Sequence, residues 1–380
     1  MYKIKAKNRL ELFQKYEEIM NSVYETRKEE RRQDPNKNMI KSYLIEGHVI
    51  NKDEFHYSLI KFFRNISKEK ISIEVNETEE EKLLELKINN EQFYLDATNN
   101  NRFWILHTAG KSADTDNKIN GLINNVNKID KIWFTKNILE KTVSYSNWRG
   151  VYLKHDELKE DLKNEDTEFK PKSINLKVDG STENMVKNFI SLIRSNNEFN
   201  YSTGISRISL SSESKGKIDR VLDDIRYDGK TSTRGKSFHR HLWLINKIYD
   251  SYKEKIMNIE NNYALNYTNN LLEGLPINIE FEREDLTVEY LLKTIFSAKN
   301  PFNLWEKKKK ISDDFYKVLA VDLHSGNKGN KINFEISPNY MTVYLPKGNC
   351  GNTIARLVCN LQLHIDSLIK VWGGENNELF

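Results

Sequence analysis

The sequence predicts an α+β protein, and three kinds of pattern support this fold class. Apolar and polar residues alternate over several short stretches, which is the period of a strand with one buried face. Other stretches repeat apolar residues with helical spacing. Four consecutive predicted strands between residues 71 and 107 are joined by turns rich in asparagine, which indicates antiparallel pairing.

Two stretches of the chain indicate an internal duplication. Residues 174–200 and 277–303 align without a gap, and each begins with an alternating strand followed by a polar helix start. In each copy, four apolar residues with spacings of four, three and one then occupy a single helical face. The same spacing recurs more weakly after the predicted strand at residues 42–50, which leaves a third copy open.

These patterns divide the chain into five segments. An N-terminal amphipathic helix is predicted within residues 1–35 and a first α+β domain within residues 36–155. The charge-dense stretch at residues 156–172 is interpreted as a linker. The two repeat units then occupy residues 173–270 and 271–380. The N-terminal helix is expected to lie on its own domain, with a dimerising helix as the alternative.

The composition is that of an ordinary globular protein on the polar side. Hydrophobic residues make up 38% and charged residues 30% of the 380 residues, and the mean hydropathy is −0.70. With 59 basic and 55 acidic side chains the net charge is +4, so a nucleic-acid-binding surface would require local clustering of cations. The frequent use of Lys, Asn and Ile is typical of a low-GC prokaryotic proteome, where defence against phage or mobile DNA is one context for such a protein.

Several classes of protein are excluded by what the sequence lacks. Two cysteines, Cys350 and Cys359, cannot form a disulfide framework or a multi-cysteine zinc site. His239 and His241 lie two residues apart on a predicted helix, where they point in different directions and cannot easily share a metal. The first residues do not resemble a signal peptide, and no apolar run approaches the roughly 18–20 residues that span a bilayer. We therefore expect a cytoplasmic protein with no membrane partner and no identified cofactor.

The most basic local stretch is predicted to be a loop that binds phosphate or nucleic acid. Its cations, interleaved with glycine, serine and threonine, are Arg226, Lys230, Arg234, Lys236 and Arg240. The stretch leads directly to a predicted helix start. Backbone amides at a helix start, with hydroxyl groups and cations beside them, favour an anion such as phosphate. A flexible solvated loop with a serine cap is the alternative.

A second glycine-containing loop occupies the corresponding place in the second copy. It precedes the last helix, but no Gly-Lys-Ser/Thr sequence ends it, which argues against a P-loop. Asn352 or Thr353 is expected to cap the helix. Lys347, Asn352 and Thr353 are therefore predicted to contribute to one phosphate- or nucleic-acid-binding surface together with the basic stretch.

Three polar residues near the C-terminus form a candidate catalytic cluster. A hairpin turn centred near Lys328 would place Asp322 opposite Asn333 and bring Asp322, His324 and Glu335 to one surface. This grouping suits general acid–base chemistry or a divalent ion such as Mg²⁺. A shift of one residue in the register would destroy it, and a solvated sheet face is the alternative.

A hairpin of the first domain supplies a second candidate nuclease site. Glu74 lies on one predicted strand, and Glu85 and Lys87 lie on the next. In metal-dependent nucleases carboxylates hold Mg²⁺ and a lysine steadies the attacking water. Because Leu84 and Leu86 take the core face, Glu85 and Lys87 are also what an ordinary solvated face would carry.

Three classes of function follow from these observations. The preferred hypothesis is a binding or sensing subunit that contacts nucleic acid or a phosphorylated ligand through the two loops. The second is a metal-dependent nuclease or other hydrolase that uses Asp322, His324 and Glu335, or else Glu74, Glu85 and Lys87; a nuclease of this kind would take Mg²⁺ as its cofactor. The third is a scaffold that works through a protein partner or as a homo-oligomer. Duplicated units without a reactive motif favour binding over catalysis.

Overall fold

The computed structural model of the chain confirms the α+β class. The described residues are 3–30, 39–48, 53–66, 71–158, 172–179, 183–197, 199–213, 220–268, 271–374 and 377–380. The end predicted for the N-terminal helix and most of the predicted linker lie outside them. Within this part of the chain, no helix combines the length and the apolar character needed to cross a lipid bilayer.

The secondary structure consists of helices and strands in similar proportion. The helices are α1 (Arg9–Glu30), α2 (Phe55–Ile66), α3 (Ser112–Asn125), α4 (Lys136–Lys141), α5 (Glu183–Arg194), α6 (Phe238–Asn258), α7 (Val288–Ile295) and α8 (Asn352–His364). The first eleven strands are β1 (Ile40–Gly47), β2 (Ile73–Glu77), β3 (Leu83–Ile88), β4 (Glu91–Asp96), β5 (Phe103–Thr108), β6 (Ile129–Lys131), β7 (Asn147–Asp156), β8 (Ser173–Asp179), β9 (Ile205–Ser212), β10 (Val221–Arg226) and β11 (Lys230–Gly235). The remaining strands are β12 (Asn266–Thr268), β13 (Leu271–Glu273), β14 (Ile277–Glu280), β15 (Leu304–Ser312), β16 (Phe315–Asp322), β17 (Lys331–Ile336), β18 (Tyr340–Tyr344), β19 (Lys370–Gly373) and β20 (Asn377–Glu378).

The chain forms two compact units. The first comprises Met1–Ile132, Tyr145–Asn147 and Ser209–Lys247. The second comprises Trp133–Ser144, Trp148–Ile208 and Ile248–Phe380. The boundaries of these units differ from those of the predicted domains. The predicted domain boundaries therefore stay a prediction.

The first unit is built around an antiparallel sheet with the strand order β2-β3-β4-β5-β1-β11-β10, and β6 also pairs with β1. One face of the sheet is covered by α2 and α3, whose Leu59, Phe63 and Leu122 are completely buried with the strand residues Leu86 and Trp104. This core forms because apolar residues alternate along the strands and recur with helical spacing along α2.

The opposite face of the first unit's sheet is covered by α1. Leu12 and Tyr16 of this helix are fully buried in one cluster with Leu83, Tyr94 and Phe238. This helix thus packs on the sheet of its own unit, while the amphipathic segment proposed for residues 1–35 stays a prediction. Because helices cover both faces of this sheet, its strands carry buried apolar side chains on both faces.

The second unit contains a seven-stranded sheet with the order β15-β16-β17-β18-β14-β19-β20. In the same unit, β7 pairs with β8, and β12 and β13 form a separate two-stranded sheet. Helix α8 is buried along its whole length, and beyond the end of α7 the ring of Phe296 packs edge-on against Phe334 of β17. The core of this unit therefore lies on one side of its sheet.

Both units contain the same sequence of elements with the same strand pairing. The first has β1-α2-β2-β3-β4-β5-α3-β6, and the second has β14-α7-β15-β16-β17-β18-α8-β19. In each, the opening strand pairs with the fifth strand and with the closing strand. In the predicted copy that starts at residue 174, the opening strand β8 instead pairs with β7, which precedes the predicted repeat. The duplication of residues 174–200 and 277–303 thus stays a prediction, whereas the upstream stretch has the topology of the C-terminal one.

Candidate nucleic-acid interface

The second unit exposes one face of its seven-stranded sheet. Side chains of a strand alternate between the two faces, and in β16 Ala320 is buried whereas Lys317 and Leu319 are exposed. Ala320 lies opposite Ile332, which lines a small internal space together with Ile354 of α8. We call the face on this side, towards α8, the inner face, and the opposite one the outer face.

The register of the strands arranges the outer-face residues in rows, because directly opposed residues of antiparallel strands point to the same side. Trp305, Val321 and Lys331 form the first row. Lys307, Leu319, Asn333 and Tyr344 form the second. Lys309, Lys317, Glu335, Thr342, Asn278 and Trp372 form the third. Tyr340, Glu280 and Lys370 form the fourth.

Basic residues predominate on the outer face. Its rows contain more lysines than glutamates, and Lys317 is paired with Glu335 at 2.8 Å. The hydrogen bond from Lys317 holds the pKa of the Glu335 carboxyl below its usual value. Lys307, Lys309 and Lys331 form no ion pair with the described part of the chain. These three ammonium groups are therefore available to an external anion.

Aromatic rings lie among these lysines. The side chain of Trp305 is 55% exposed and that of Tyr340 is 40% exposed, and Tyr344 and Trp372 are half-buried. Tyr344 donates a hydrogen bond from its hydroxyl group to Glu335 at 3.0 Å. Lysines and exposed aromatic rings on one sheet face are the combination with which proteins bind the phosphates and the bases of nucleic acids.

The predicted catalytic cluster does not form, because the hairpin register differs from the expected one. Leu319, not Asp322, lies opposite Asn333, and Lys317 lies opposite Glu335. The chain turns directly after Asp322, whose carbonyl oxygen accepts a hydrogen bond from Gly329 N at 2.8 Å. Asp322 consequently belongs to the inner face and Glu335 to the outer face.

Asp322 instead connects its strand to the start of α8. Its carboxylate is fully buried and forms an ion pair with Arg356, which is 2% exposed. It also accepts hydrogen bonds from the hydroxyl of Thr353 at 3.4 Å and from the backbone amide of His324 at 2.9 Å. These contacts describe a structural ion pair in the core of the second unit.

The glycine loop before α8 does not present the predicted side chains to solvent. Lys347 is exposed, but Asn352 and Thr353 are buried. Asn352 accepts a hydrogen bond from the hydroxyl of Tyr252 at 2.5 Å. The cap of α8 is Gly351, without a side-chain hydrogen bond, so the expectation that Asn352 or Thr353 caps the helix was wrong. The side chains of Asn352 and Thr353 at this helix start therefore form hydrogen bonds within the protein.

The predicted basic loop is largely strand. Residues 226–235 include the end of β10 and all of β11, whose Ile40–Thr233 and Tyr43–Lys230 pairs with β1 place it inside the sheet. Arg234, Lys236 and Arg240 are half-buried. The prediction of a loop was wrong, because the glycine, serine and threonine residues here form strand β11, which is stabilised by pairing with β1, a strand far away in the sequence.

Arg226 and Lys230 lie in a cluster of charges inside the first unit. Lys230 contacts both oxygens of Asp116 at 2.7 and 2.8 Å, and Arg226 contacts Asp228 at 2.8 Å. Lys131 adds a third cation, 3.4 Å from Asp228. Burial raises the pKa of the Asp228 carboxyl, but the charges of Arg226 and Lys131 outweigh it and hold this pKa below its usual value. The cluster borders a space of about 50 Å³, and each of its three cations already contacts a carboxylate.

The second candidate nuclease site is brought together on the surface of the first unit. Glu74 lies directly opposite Lys87 and is 2.7 Å from its ammonium group. Glu85 accepts a hydrogen bond from Gln92 at 2.6 Å. Among the described residues, no third metal-ligating side chain joins these two glutamates. The arrangement is that of an exposed ion pair on a hairpin.

A buried network that the sequence analysis missed links four polar side chains of the first unit. Asp223 lies 2.6 Å from Nδ1 of His241, whose Nε2 lies 3.1 Å from Ser42 Oγ. Ser42 Oγ is also 2.8 Å from Nδ1 of His107. The order Asp–His–Ser is that of a hydrolase triad, but all four residues are buried and Ser42 is in the middle of a paired strand. We assign the network to the stabilisation of the sheet.

Comparison with known proteins gives two matches. A family model described as MJECL33-like protein matches residues 1–380. A protein of Methanocaldococcus jannaschii named "Uncharacterized protein MJECL33" is 28% identical over 393 residues, which cover 95% of this chain and 92% of that protein. Neither description names an activity, so the functional argument depends on the geometry above.

Proposed function

The chain belongs to the MJECL33-like protein family, and we propose that this protein binds nucleic acid through the outer face of the second unit's sheet. The observation that carries the proposal is the group of Lys307, Lys309 and Lys331 around the exposed ring of Trp305. None of these lysines is neutralised by a carboxylate of the described chain. A nucleic acid supplies a regular series of phosphates to neutralise them.

The charge of this face favours a polyanion over a protein partner. The central area of a protein–protein interface is depleted in lysine, because each ammonium group must lose its water. Lysine on an exposed sheet retains that water until a phosphate approaches, and the counterions released from the nucleic acid then drive binding. The outer face also offers the exposed amide of Asn333, a neutral polar group that can contact sugars or bases.

Binding is preferred over catalysis because of where the candidate catalytic groups lie. The carboxylate of Asp322 is engaged in a buried ion pair with Arg356, and Glu335 lies on the other face of the sheet. We further propose a cytoplasmic location, where nucleic acid is accessible. The burial of Cys350 and Cys359 as thiols agrees with a reducing compartment.

The test is a comparison of two triple variants with the same change of charge. Lys307→Gln/Lys309→Gln/Lys331→Gln removes the three cations of the outer face. Lys61→Gln/Lys111→Gln/Lys247→Gln removes three exposed lysines of the first unit and is the matched control. Binding of fluorescein-labelled DNA and RNA oligonucleotides is measured by anisotropy at several salt concentrations between about 50 and 200 mM.

We expect the wild-type affinity to fall steeply with salt. The outer-face variant should bind more weakly, and the slope of log K against log salt should decrease in magnitude by roughly 2 for single strands, since each phosphate contact contributes about 0.7. The control variant should keep the wild-type slope. Equal losses in both variants would show that only overall charge matters, and the absence of any binding at about 50 mM salt would remove the proposal.

A further inference from the structure

Trp305 has the position of a stacking platform rather than that of a core residue. It lies on β15, at one edge of the sheet, with more than half of its side chain in contact with solvent. On the same face its neighbours are Lys307, two residues further along the strand, and Val321 directly opposite. Lys331 ends the same row. An exposed indole that is flanked by two cations offers an apolar surface for a ring and charges for the phosphates on either side of it.

We propose that the outer face binds single-stranded nucleic acid in preference to duplex, with a base stacked on Trp305. This inference rests on the proposed function and specifies its ligand. In a duplex the faces of the bases are covered by their neighbours, so an indole gains no base contact from it. In a single strand each base can turn out and stack on an aromatic ring, and proteins that bind single strands use this contact together with cations.

A second ring defines the direction of the strand across the sheet. Tyr344 is on β18, three strands away from β15, and belongs to the row next to that of Trp305. With strands about 4.8 Å apart and rows about 6.8 Å apart, the two side chains are separated by roughly 16 Å. Lys331 and Asn333 of β17 lie between them. The bound strand should therefore cross the sheet strands from β15 towards β18 and cover several nucleotides.

The comparison of the two units supports a ligand on this face. In the first unit, the corresponding face is covered by α1 through buried apolar residues such as Leu83 and Tyr94. In the second unit, β16 and β17 carry Lys317, Lys331 and Asn333 on that face, and these polar side chains are exposed. An apolar helix could not pack on them without burying ammonium groups. The second unit's outer face is thus suited to a charged and solvated ligand.

The experiment measures binding of a 12-nucleotide DNA strand of mixed sequence and of the duplex formed with its complement. The variants are Trp305→Ala, Trp305→Phe and, as the matched control, Trp243→Ala. Trp243 is exposed to a similar degree, at 41%, but lies on α6 in the first unit. All are compared with the wild-type protein by anisotropy, and far-ultraviolet circular dichroism verifies that each variant is folded.

We expect the wild type to bind the single strand more tightly than the duplex. Trp305→Ala should weaken single-strand binding roughly 5- to 150-fold, the range for loss of one stacked base, with the salt slope unchanged. Trp305→Phe should retain most of the affinity, and Trp243→Ala all of it.

Other outcomes separate this inference from the proposed function. If the lysine variant weakens binding but Trp305→Ala does not, the outer face binds nucleic acid by charge alone and the stacking inference is wrong. If the wild type prefers duplex, the single-strand preference is wrong while the interface stands. If no oligonucleotide binds, the proposed function fails first.

Discussion

Loss of the Arg356 side chain should strongly destabilise the second unit. Arg356 and Asp322 are 2% and 0% exposed, and their ion pair connects α8 to β16. In Arg356→Met the carboxylate of Asp322 would keep, among the described residues, the Thr353 hydroxyl and the His324 amide as partners. Removal of one partner from a buried ion pair costs about 3–5 kcal/mol, mostly because the remaining charge stays buried.

The expected effect is large enough to be measured locally. A loss of about 3–5 kcal/mol corresponds to a roughly 150- to 5,000-fold increase in the equilibrium population of the unfolded unit. Hydrogen–deuterium exchange of peptides from α8 reports this population directly when exchange requires unfolding. Urea unfolding followed by circular dichroism gives a second, global measurement.

Two further variants separate the buried charge from the lost packing. Asp322→Leu/Arg356→Met replaces both charges by apolar side chains, and it should recover most of the stability because no uncompensated charge remains. Lys310→Met removes the exposed partner of Asp313 and should leave the urea midpoint nearly unchanged, because exposed ion pairs contribute little to stability. The reasoning would be refuted by an Arg356→Met variant as stable as Lys310→Met, or by a double variant no more stable than the single one.

Two other changes of stability follow from the structure. Burial lowers the pKa of His155 to about 4, whereas an unfolded histidine titrates near 6.5. As the pH falls, the unfolded state therefore binds the proton first. His155 should for this reason lower the free energy of unfolding by about 2 kcal/mol between pH 7 and pH 5. Urea midpoints at the two pH values measure the total loss, to which His107 and His364 also contribute because burial lowers their pKa values. The loss should be about 2 kcal/mol smaller in His155→Phe, and an unchanged pH dependence in that variant would contradict this. Thr287 caps α7 by accepting a hydrogen bond from the backbone amide of Tyr290 at 3.2 Å, so Thr287→Ala should cost about 1 kcal/mol and Thr287→Ser much less. Equal urea midpoints for all three proteins would show that this cap has no energetic role.

The sequence predicted the elements of the first unit well because local patterns determine them. In β3 the apolar residues Leu84, Leu86 and Ile88 alternate without ambiguity, and they are buried as expected. In α2 the helical spacing of Phe55, Leu59 and Phe63 left one face for the core. In each case the pattern within a single element contained the information.

The register of β16 could not be read from the sequence in the same way. Val318, Leu319, Ala320 and Val321 are all apolar, so either set of alternating positions could face the core. The turn after Asp322 decided between them, with a 3₁₀ segment at Ser325–Asn327 and a positive φ at Gly329. A turn centred near residue 326 instead of 328 moved Asp322 to the inner face.

The proposed interface was not predicted from the sequence, because its edge strand lacks the usual strand pattern. In β15 four consecutive lysines follow Glu306, and a run of charges is normally interpreted as a solvated loop. Pairing of β15 with β16 over its whole length forms the strand. The signal that could have revealed it is the alternation of Trp305, Lys307 and Lys309, which places an aromatic residue on the same face as two cations.

The composition of the outer face is better explained by a ligand than by the fold. Lys307, Lys309 and Lys331 form no ion pair with the described residues, and exposed lysines contribute little to stability in any case. The exposed part of the Trp305 side chain contributes no hydrophobic free energy to folding as long as it is in contact with water. The first unit has the same topology, and its corresponding face is stabilised by apolar packing under α1. Since the topology does not require lysine and tryptophan here, their arrangement is the feature of this chain that a nucleic-acid ligand would use.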